Sequence, residues 1–336
     1  MTVRVGIVGV SGYAGIELHR ILSTHPAVEV AAVAAGRAAG DPLDASWPGV
    51  DPSGETQIAA ADPDALARSC DVVFLALPHG RSAPLARALL ALDRRVIDLG
   101  ADFRLRTAAA WDAAYGRPHG APELLGEAVY GLPERNREAL AGARLVAVPG
   151  CYPTAVALAA LPLVDAGAVD LLMASCLSGI SGAGRKPGPR NLYGEVHDSA
   201  VAYGVGGTHR HSSEMEQTLG VPVAFTPHLV PMGRGMIATV TARVADDGTD
   251  WPAAYRAAAA DHPAWHITDA APATREVRGT GLCRVHVAHD RRRGVVTATS
   301  AIDNLGKGAA AQAVHCMNLA LGLRPLAGVP VHPFLP

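Results

Sequence analysis

A cysteine stands between a strand-like run and a helix-like run in Pro149-Gly150-Cys151-Tyr152-Pro153-Thr154. A thiol at the start of a helix lies in the positive field of the helix terminus, which favours the thiolate, the nucleophilic form. Pro153 suits the first helical turn, where a missing N–H costs nothing. The other cysteines, Cys70, Cys176, Cys283 and Cys316, lie in apolar surroundings and read as buried structural thiols. A thiolate nucleophile also needs a group that handles protons. Among fourteen histidines the best source is His209-Arg210-His211-Ser212-Ser213-Glu214. Ser212 or Ser213 is expected to cap the helix that follows, leaving His209 in the preceding loop. Glu214 is placed to accept an imidazole N–H and so fix the tautomer.

Glycines mark the next candidates. Gly9-Val10-Ser11-Gly12-Tyr13-Ala14-Gly15 joins a strand to a helix, the layout in which backbone N–H groups approach a pyrophosphate. Its spacing, G-x-x-G-x-x-G, departs from the usual G-x-G-x-x-G. The second strand ends Ala34-Ala35-Gly36-Arg37, with no acid for a ribose 2′-hydroxyl and with a cation. A 2′-phosphate would be attracted there, so NADP is expected over NAD. Gly179-Ile180-Ser181-Gly182-Ala183-Gly184-Arg185-Lys186 joins pliable backbone to hydroxyl and cation and reads as an anion cradle. Asp98-Leu99-Gly100-Ala101-Asp102-Phe103-Arg104 follows a strand, where ligands of open α/β sheets bind. Arg104 there either clamps an anion or pairs with Asp98 or Asp102. An H-x-H pair alone lacks a third ligand, and no metal is expected.

Positioning these groups requires two architectures. Val- and Ile-rich runs at 2–8, 28–34, 71–77, 96–99 and 144–148 alternate with helical patterns at 16–23 and 83–92. Apolar strands without polar alternation fit a parallel sheet covered on both faces, with right-handed crossovers and a doubly wound, Rossmann-type order. Beyond residue 150 the pattern changes to a helix at 154–166, a strand at 171–177, a long Gly-rich stretch at 178–207, and longer strands at 236–244 and 295–302. These fit a mixed sheet in an α+β domain. A small-residue helix at 308–321 is expected to return to the first domain. The expected division is 1–150, completed by 307–336, and 151–306.

Composition bounds the rest. The chain has 336 residues and a formal net charge of −2, so no basic excess exists for nucleic acid. Every apolar run is interrupted before membrane-spanning length, and the five scattered cysteines form no C-x-x-C pair. A cytoplasmic protein stabilised by its own core is expected, with no membrane partner. All but two of the 29 basic residues are arginine. The lysines, Lys186 and Lys307, both fall in Gly-rich segments.

Nine segments in order carry a resemblance. They are GVSGYAG at 9–15, LPHG at 77–80, IDLGADFRL at 97–105, YGLPE at 130–134, PGCYPT at 149–154, SGISGAGR at 178–185, HRHSSE at 209–214, PHLVPM at 227–232 and NLGKG at 304–308. Over essentially its whole length the chain resembles the N-acetyl-gamma-glutamyl-phosphate reductases of arginine biosynthesis. The resemblance implies an NADP-binding Rossmann domain and a glyceraldehyde-3-phosphate-dehydrogenase-like catalytic and oligomerisation domain, assembled as a dimer or tetramer. It implies Cys151 as nucleophile on an acyl phosphate, with a thioester intermediate, and His209, with His211 as the alternative, as acid/base, oriented by Glu214 and Tyr203. Gly9, Ser11, Gly12, Tyr13, Ala14, Gly36, Arg37, Leu77, Pro78, Ser181, Gly182 and Asn304 fall at its cofactor positions. His79, Arg104, Arg185 and Lys186 fall at positions for phosphate or substrate carboxylate. Family members often carry Ser where Gly36 and Gly100 stand and Pro at Ser213, which leaves Arg37 more of the 2′-phosphate contact. Rival readings are the same chemistry on N-acetyl-aminoadipyl phosphate or another acyl phosphate, and a non-catalytic dinucleotide-binding redox sensor. Aspartate-semialdehyde dehydrogenase shares the architecture but fits PGCYPT and HRHSSE less well.

Overall fold

The computed structural model describes residues 2–186, 188–245 and 248–334, with Arg190 described by its backbone alone. The chain runs β1 (Val3–Val8), α1 (Tyr13–Leu22), β2 (Val28–Ala34), α2 (Leu43–Ser46), α3 (Pro63–Ser69), β3 (Val72–Leu75), α4 (Ser82–Ala91), β4 (Arg95–Asp98), α5 (Ala108–Tyr115), β5 (Val129–Tyr130), α6 (Pro133–Leu140) and β6 (Leu145–Ala147). It continues with α7 (Cys151–Asp165), β7 (Leu172–Gly179), α8 (Tyr193–Val196), β8 (Val201–Ala202), α9 (His211–Leu219), β9 (Val223–Val230), β10 (Met236–Arg243), α10 (Trp251–Ala259), β11 (Trp265–Ile267), β12 (Cys283–Asp290), β13 (Val295–Ile302) and α11 (Ala311–Ala320). Two compact units result, Met1–Pro149 with Ala309–Val329, and Gly150–Gly308 with Pro330–Pro336.

The first unit holds a six-stranded parallel sheet in the order β2-β1-β3-β4-β6-β5. Its strands are apolar on both sides because both faces are covered. On one face Val5, Ile7, Phe74, Ile97 and Val146 pack with Leu18, Ile21 and Leu22 of α1 and with Ala313, Val314 and Met317 of α11. On the other, Val73, Leu75, Val96 and Leu145 meet Leu66 of α3 and Ala83, Ala86 and Leu89 of α4. The returning helix α11 is tied down by polar contacts as well. Gln312 Nε2 and Cys316 Sγ both donate to the Gly131 carbonyl, at 3.1 and 3.2 Å, and His25 Nε2 lies 3.1 Å from Asn318 Oδ1.

The second unit is a seven-stranded mixed sheet, β11-β12-β13-β10-β7-β9-β8. Helix α7 covers one face and is buried almost all round, which is why its sequence shows no polar stripe. The Tyr255 hydroxyl donates to the Ala159 carbonyl (2.6 Å) and Ser300 Oγ to the Ala155 carbonyl (2.8 Å), fixing α7 against α10 and β13. The opposite face exposes Met173 and Leu177 beside a cross-strand row of hydroxyls, Thr226, Ser175, Thr239 and Thr299. The last segment joins this unit rather than the parallel sheet, through Gly281 N–H to the Pro330 carbonyl (2.8 Å). Among the described residues no helix is long and apolar enough to cross a membrane.

Candidate active site

The second unit places Cys151 as the first residue of α7, with Gly150 as an extended N-cap that has no side chain to offer. The positive end of a long helix therefore faces the sulfur. Two glycines leave room for this arrangement. A Cβ at Gly308 would lie 2.8 Å from Cys151 Cβ, and one at Gly150 would lie 2.7 Å from His211 Nε2. Either approach is closer than side chains tolerate.

Helix α9 begins at His211, with Arg210 as N-cap and no side-chain cap from a serine. The expected Ser212 or Ser213 cap is thus replaced by His209, whose Nδ1 accepts the His211 N–H (3.1 Å), while Ser212 N–H donates to the His209 carbonyl (2.9 Å). An Nδ1 that accepts from an amide leaves the proton of the neutral ring on Nε2. Burial, aided by the charge of Arg210, pushes His209 down to about 4. The imidazole is therefore neutral near pH 7 and presents Nε2–H as a donor.

Glu214 does not hold this ring in the way expected. It is buried, and its Oε1 accepts the N–H of Gly150 (2.8 Å), so the carboxylate anchors the residue before the nucleophile. The tautomer of His209 is set by a backbone amide instead. Tyr203 touches the imidazole through its ring, edge-on with centroids 5.6 Å apart, and its hydroxyl shares a hydrogen bond with that of Tyr152 (2.9 Å). Burial raises both phenols, so both stay protonated.

Cys151, Tyr152, Tyr203, His209, Arg210 and His211 share one cavity of about 270 Å³, with Ser178 and Gly182 also on its wall. Asn304, almost fully buried, donates from Nδ2 to Ser181 Oγ (2.9 Å) and accepts the Gly235 N–H (2.7 Å), so two expected cofactor residues are joined to each other. Next to it Asp303, fully buried, holds Arg234 through two bonds (2.9 and 3.1 Å) and accepts three amides, from Gly279, Leu305 and Gly306. Arg185 and Lys186 are exposed and are not among the residues lining the cavity. Tyr152 and Arg210 were not singled out from sequence, although each lies inside a motif that was, and His211 stood there as the alternative to His209. Adjacency to the nucleophile or the imidazole was the available signal.

The first unit builds the dinucleotide-type turn. Gly9 has φ +97°, and a Cβ there would lie 2.3 Å from the Ala76 carbonyl, where β1 and β3 end side by side. Gly15 lets α1 pass over the turn, since its Cβ would meet the Gly9 carbonyl at 2.2 Å. Gly12 N-caps α1 without a side-chain bond, leaving Ser11, Tyr13 and Ala14 around a helix N-terminus suited to phosphate. Tyr13 packs on Trp47, ring centroids 5.9 Å apart. Gly36 has open space about its Cα, and Arg37 is exposed and bonded to no described residue. Half-buried Leu77 and exposed Pro78 follow β3. The next residues are held by Asp102, which accepts the N–H groups of Gly80, Ser82 and Ala83 and caps α4. His79 packs at a tilt against Tyr115 (ring centroids 5.4 Å apart), and its carbonyl accepts from Arg117. Arg104 braces its own loop, donating Nε to the Val148 carbonyl and a terminal nitrogen to that of Leu99, both at 2.8 Å. The structure thus gives its guanidinium a role other than the expected anion clamp. Asp98, fully buried beside Asp102, is pushed up to about 7 by burial and by that neighbouring carboxylate. Among the described residues no group of His, Cys, Asp and Glu is arranged to hold a metal ion.

Parallel sheet, mixed sheet and a cysteine–histidine cavity define a semialdehyde dehydrogenase architecture. Residues 4–143 match the family model described as the NAD binding domain of semialdehyde dehydrogenases, and 151–304 match their dimerisation domain. Solved structures similar in fold include aspartate semialdehyde dehydrogenase II of Vibrio cholerae (TM-score 0.73, 16% identity, 96% of this chain and 99% of that one) and the Candida albicans enzyme with NADP (TM-score 0.73, 16%, 98% and 99%). Among curated proteins, the N-acetyl-gamma-glutamyl-phosphate reductase of Alkalilimnicola ehrlichii is 46% identical over 99% of this chain and 100% of its own. That of Halorhodospira halophila is 48% identical over 97% and 98%. The chain belongs to the N-acetyl-gamma-glutamyl-phosphate reductase family.

Proposed function

We propose that this protein reduces N-acetyl-gamma-glutamyl phosphate to N-acetyl-glutamate 5-semialdehyde with release of phosphate, using NADPH, in arginine biosynthesis. The observation that carries the reading is the single cavity uniting Cys151, at a helix N-terminus, with a neutral His209. Cys151 thiolate adds to the acyl carbonyl, the carbon–oxygen bond to phosphate breaks, and a thioester remains on the sulfur. The positive end of α7 and the His209 Nε2–H are suited to receive negative charge on the carbonyl oxygen in each tetrahedral state. Collapse of the second tetrahedral state returns the thiolate and frees the aldehyde.

Gly9, Gly12 and the N-terminus of α1 would hold the pyrophosphate, Arg37 a 2′-phosphate, and Ser181, Gly182 and Asn304 the nicotinamide end. Arg37, exposed just past the end of β2 and bonded to no described residue, is what supports NADP over NAD. Bound NADPH supplies the hydride that takes the thioester carbon to the aldehyde level. A homo-oligomer built on the exposed sheet face of the second unit goes with this reading, since Met173 and Leu177 stand uncovered there. So does a cytoplasmic location.

The test is oxidation run in reverse, with N-acetyl-glutamate 5-semialdehyde, NADP and inorganic phosphate, following NADPH absorbance. Turnover that requires phosphate and is abolished in Cys151→Ser is expected. Intact dinucleotide binding without turnover would refute the reading.

A further inference from the structure

The substrate class proposed above is doubly anionic at its ends, a phosphate on one side and a carboxylate on the other. The cavity around Cys151 has largely apolar or neutral walls, among them Tyr152, Val201 and Leu229. An anion entering such a space needs a fixed counter-charge. The cations expected from sequence do not provide it. Arg104 is committed to carbonyls within the first unit, and neither Arg185 nor Lys186 lines the cavity.

Among the described residues one permanently charged side chain does line it, Arg210. It stands between the two cavity histidines in sequence, at the N-cap of α9, and is exposed. It shares the wall with the His209 ring and with Tyr203, so its charge stands beside both. That charge works with burial in holding His209 low. Arginine suits the task because its planar fork pairs with two oxygens of a carboxylate or phosphate at once.

We propose that Arg210 is the anion-recognising residue of the Cys151 cavity, binding an oxyanion of the substrate, phosphate or carboxylate, and so selecting anionic over neutral acyl compounds. The inference rests on the acyl-phosphate reading for its substrate but not for its first test.

That test alkylates Cys151 with iodoacetate and with neutral iodoacetamide and compares the rates in the whole protein, with Arg210→Gln and Arg210→Lys beside wild type. A charge near the sulfur accelerates the anionic reagent selectively. The iodoacetate-to-iodoacetamide ratio should fall about fivefold in Arg210→Gln and recover largely in Arg210→Lys. The iodoacetamide rate, which reports an intact site, should hold. An unchanged ratio overturns the proposal whether or not the enzyme turns over any substrate. In the oxidative assay the two sources separate. A rise in KM for inorganic phosphate alone in Arg210→Gln assigns the phosphate, and a rise in KM for the semialdehyde alone assigns the carboxylate. Both KM values unmoved would overturn the assignment.

Discussion

Replacing Glu214 separates two jobs that a buried carboxylate beside a histidine can do. In the structure Oε1 accepts the Gly150 N–H at 2.8 Å, so the carboxylate holds the backbone immediately before Cys151. Glu214→Ala removes a charged acceptor and leaves a buried amide without this partner. The expected loss is about 2–3 kcal/mol, or roughly 5–10 °C in Tm for a unit of this size. Released from its anchor, Gly150 shifts, and a displacement near 1 Å at the nucleophile costs about a hundredfold in kcat. Glu214→Gln keeps an acceptor oxygen and should lose only about 1 kcal/mol, with most activity retained. The decisive assay is the pH profile of kcat/KM. His209 is pushed down to about 4 by burial and Arg210, and no carboxylate bond raises it. The acid limb should therefore stay where it is in Glu214→Gln. A downward movement of that limb by about one unit, with Tm unchanged, would show that Glu214 supports the imidazolium and refute the backbone-anchor assignment.

Two further outcomes are expected. Arg37→Asp should lower the ratio of kcat/KM with NADP to that with NAD by about tenfold or more, since an attractive partner becomes a repulsive one; an unchanged ratio in steady-state kinetics would leave Arg37 without that role. Asp98 has a folded-state value raised from 3.8 to about 7, so the native state holds its proton more tightly than the unfolded chain. Its stabilising contribution is complete below about pH 4 and lost as pH rises through 7. Urea midpoints measured from pH 5 to 8 should fall less steeply with rising pH in Asp98→Asn than in wild type, and parallel slopes would contradict the assignment.

The parallel sheet was legible because strands buried on both faces are written as unbroken Val and Ile, as in Val72–Leu75. Strand β9 was not, because Pro227 and His228 interrupt it, and a proline argues against a strand interior. Strand β12, with Arg284, His286 and His289 on its half-open positions, likewise lacks an apolar signature. At the site, Cys151 and His209 could be picked out because their chemistry depends on residue type and on a neighbouring helix start. The partners of Glu214 and Arg104 could not, since carboxylate and guanidinium bond equally well to a ring, an anion or a carbonyl. Tertiary placement chose carbonyls and an amide, as the Gly150 N–H and the Val148 carbonyl show. The helix cap went to His209 rather than Ser212 because the incoming loop brings the ring nitrogen to the amide first.

The first unit is written in two pieces, Met1–Pro149 and Ala309–Val329, and that has a consequence for biosynthesis. When the nascent chain has delivered all six strands of the parallel sheet, α11 is still an entire second unit away from being translated. Until it arrives, the apolar flank of α1 has no cover from Val314 and Met317, and the Gly131 carbonyl lacks both Gln312 and Cys316. The early half of the protein thus emerges as an unfinished sheet with sticky surface, the kind of intermediate that chaperones hold. Its closure is a long-range docking step, a contact between segments far apart in sequence of the kind that forms slowly.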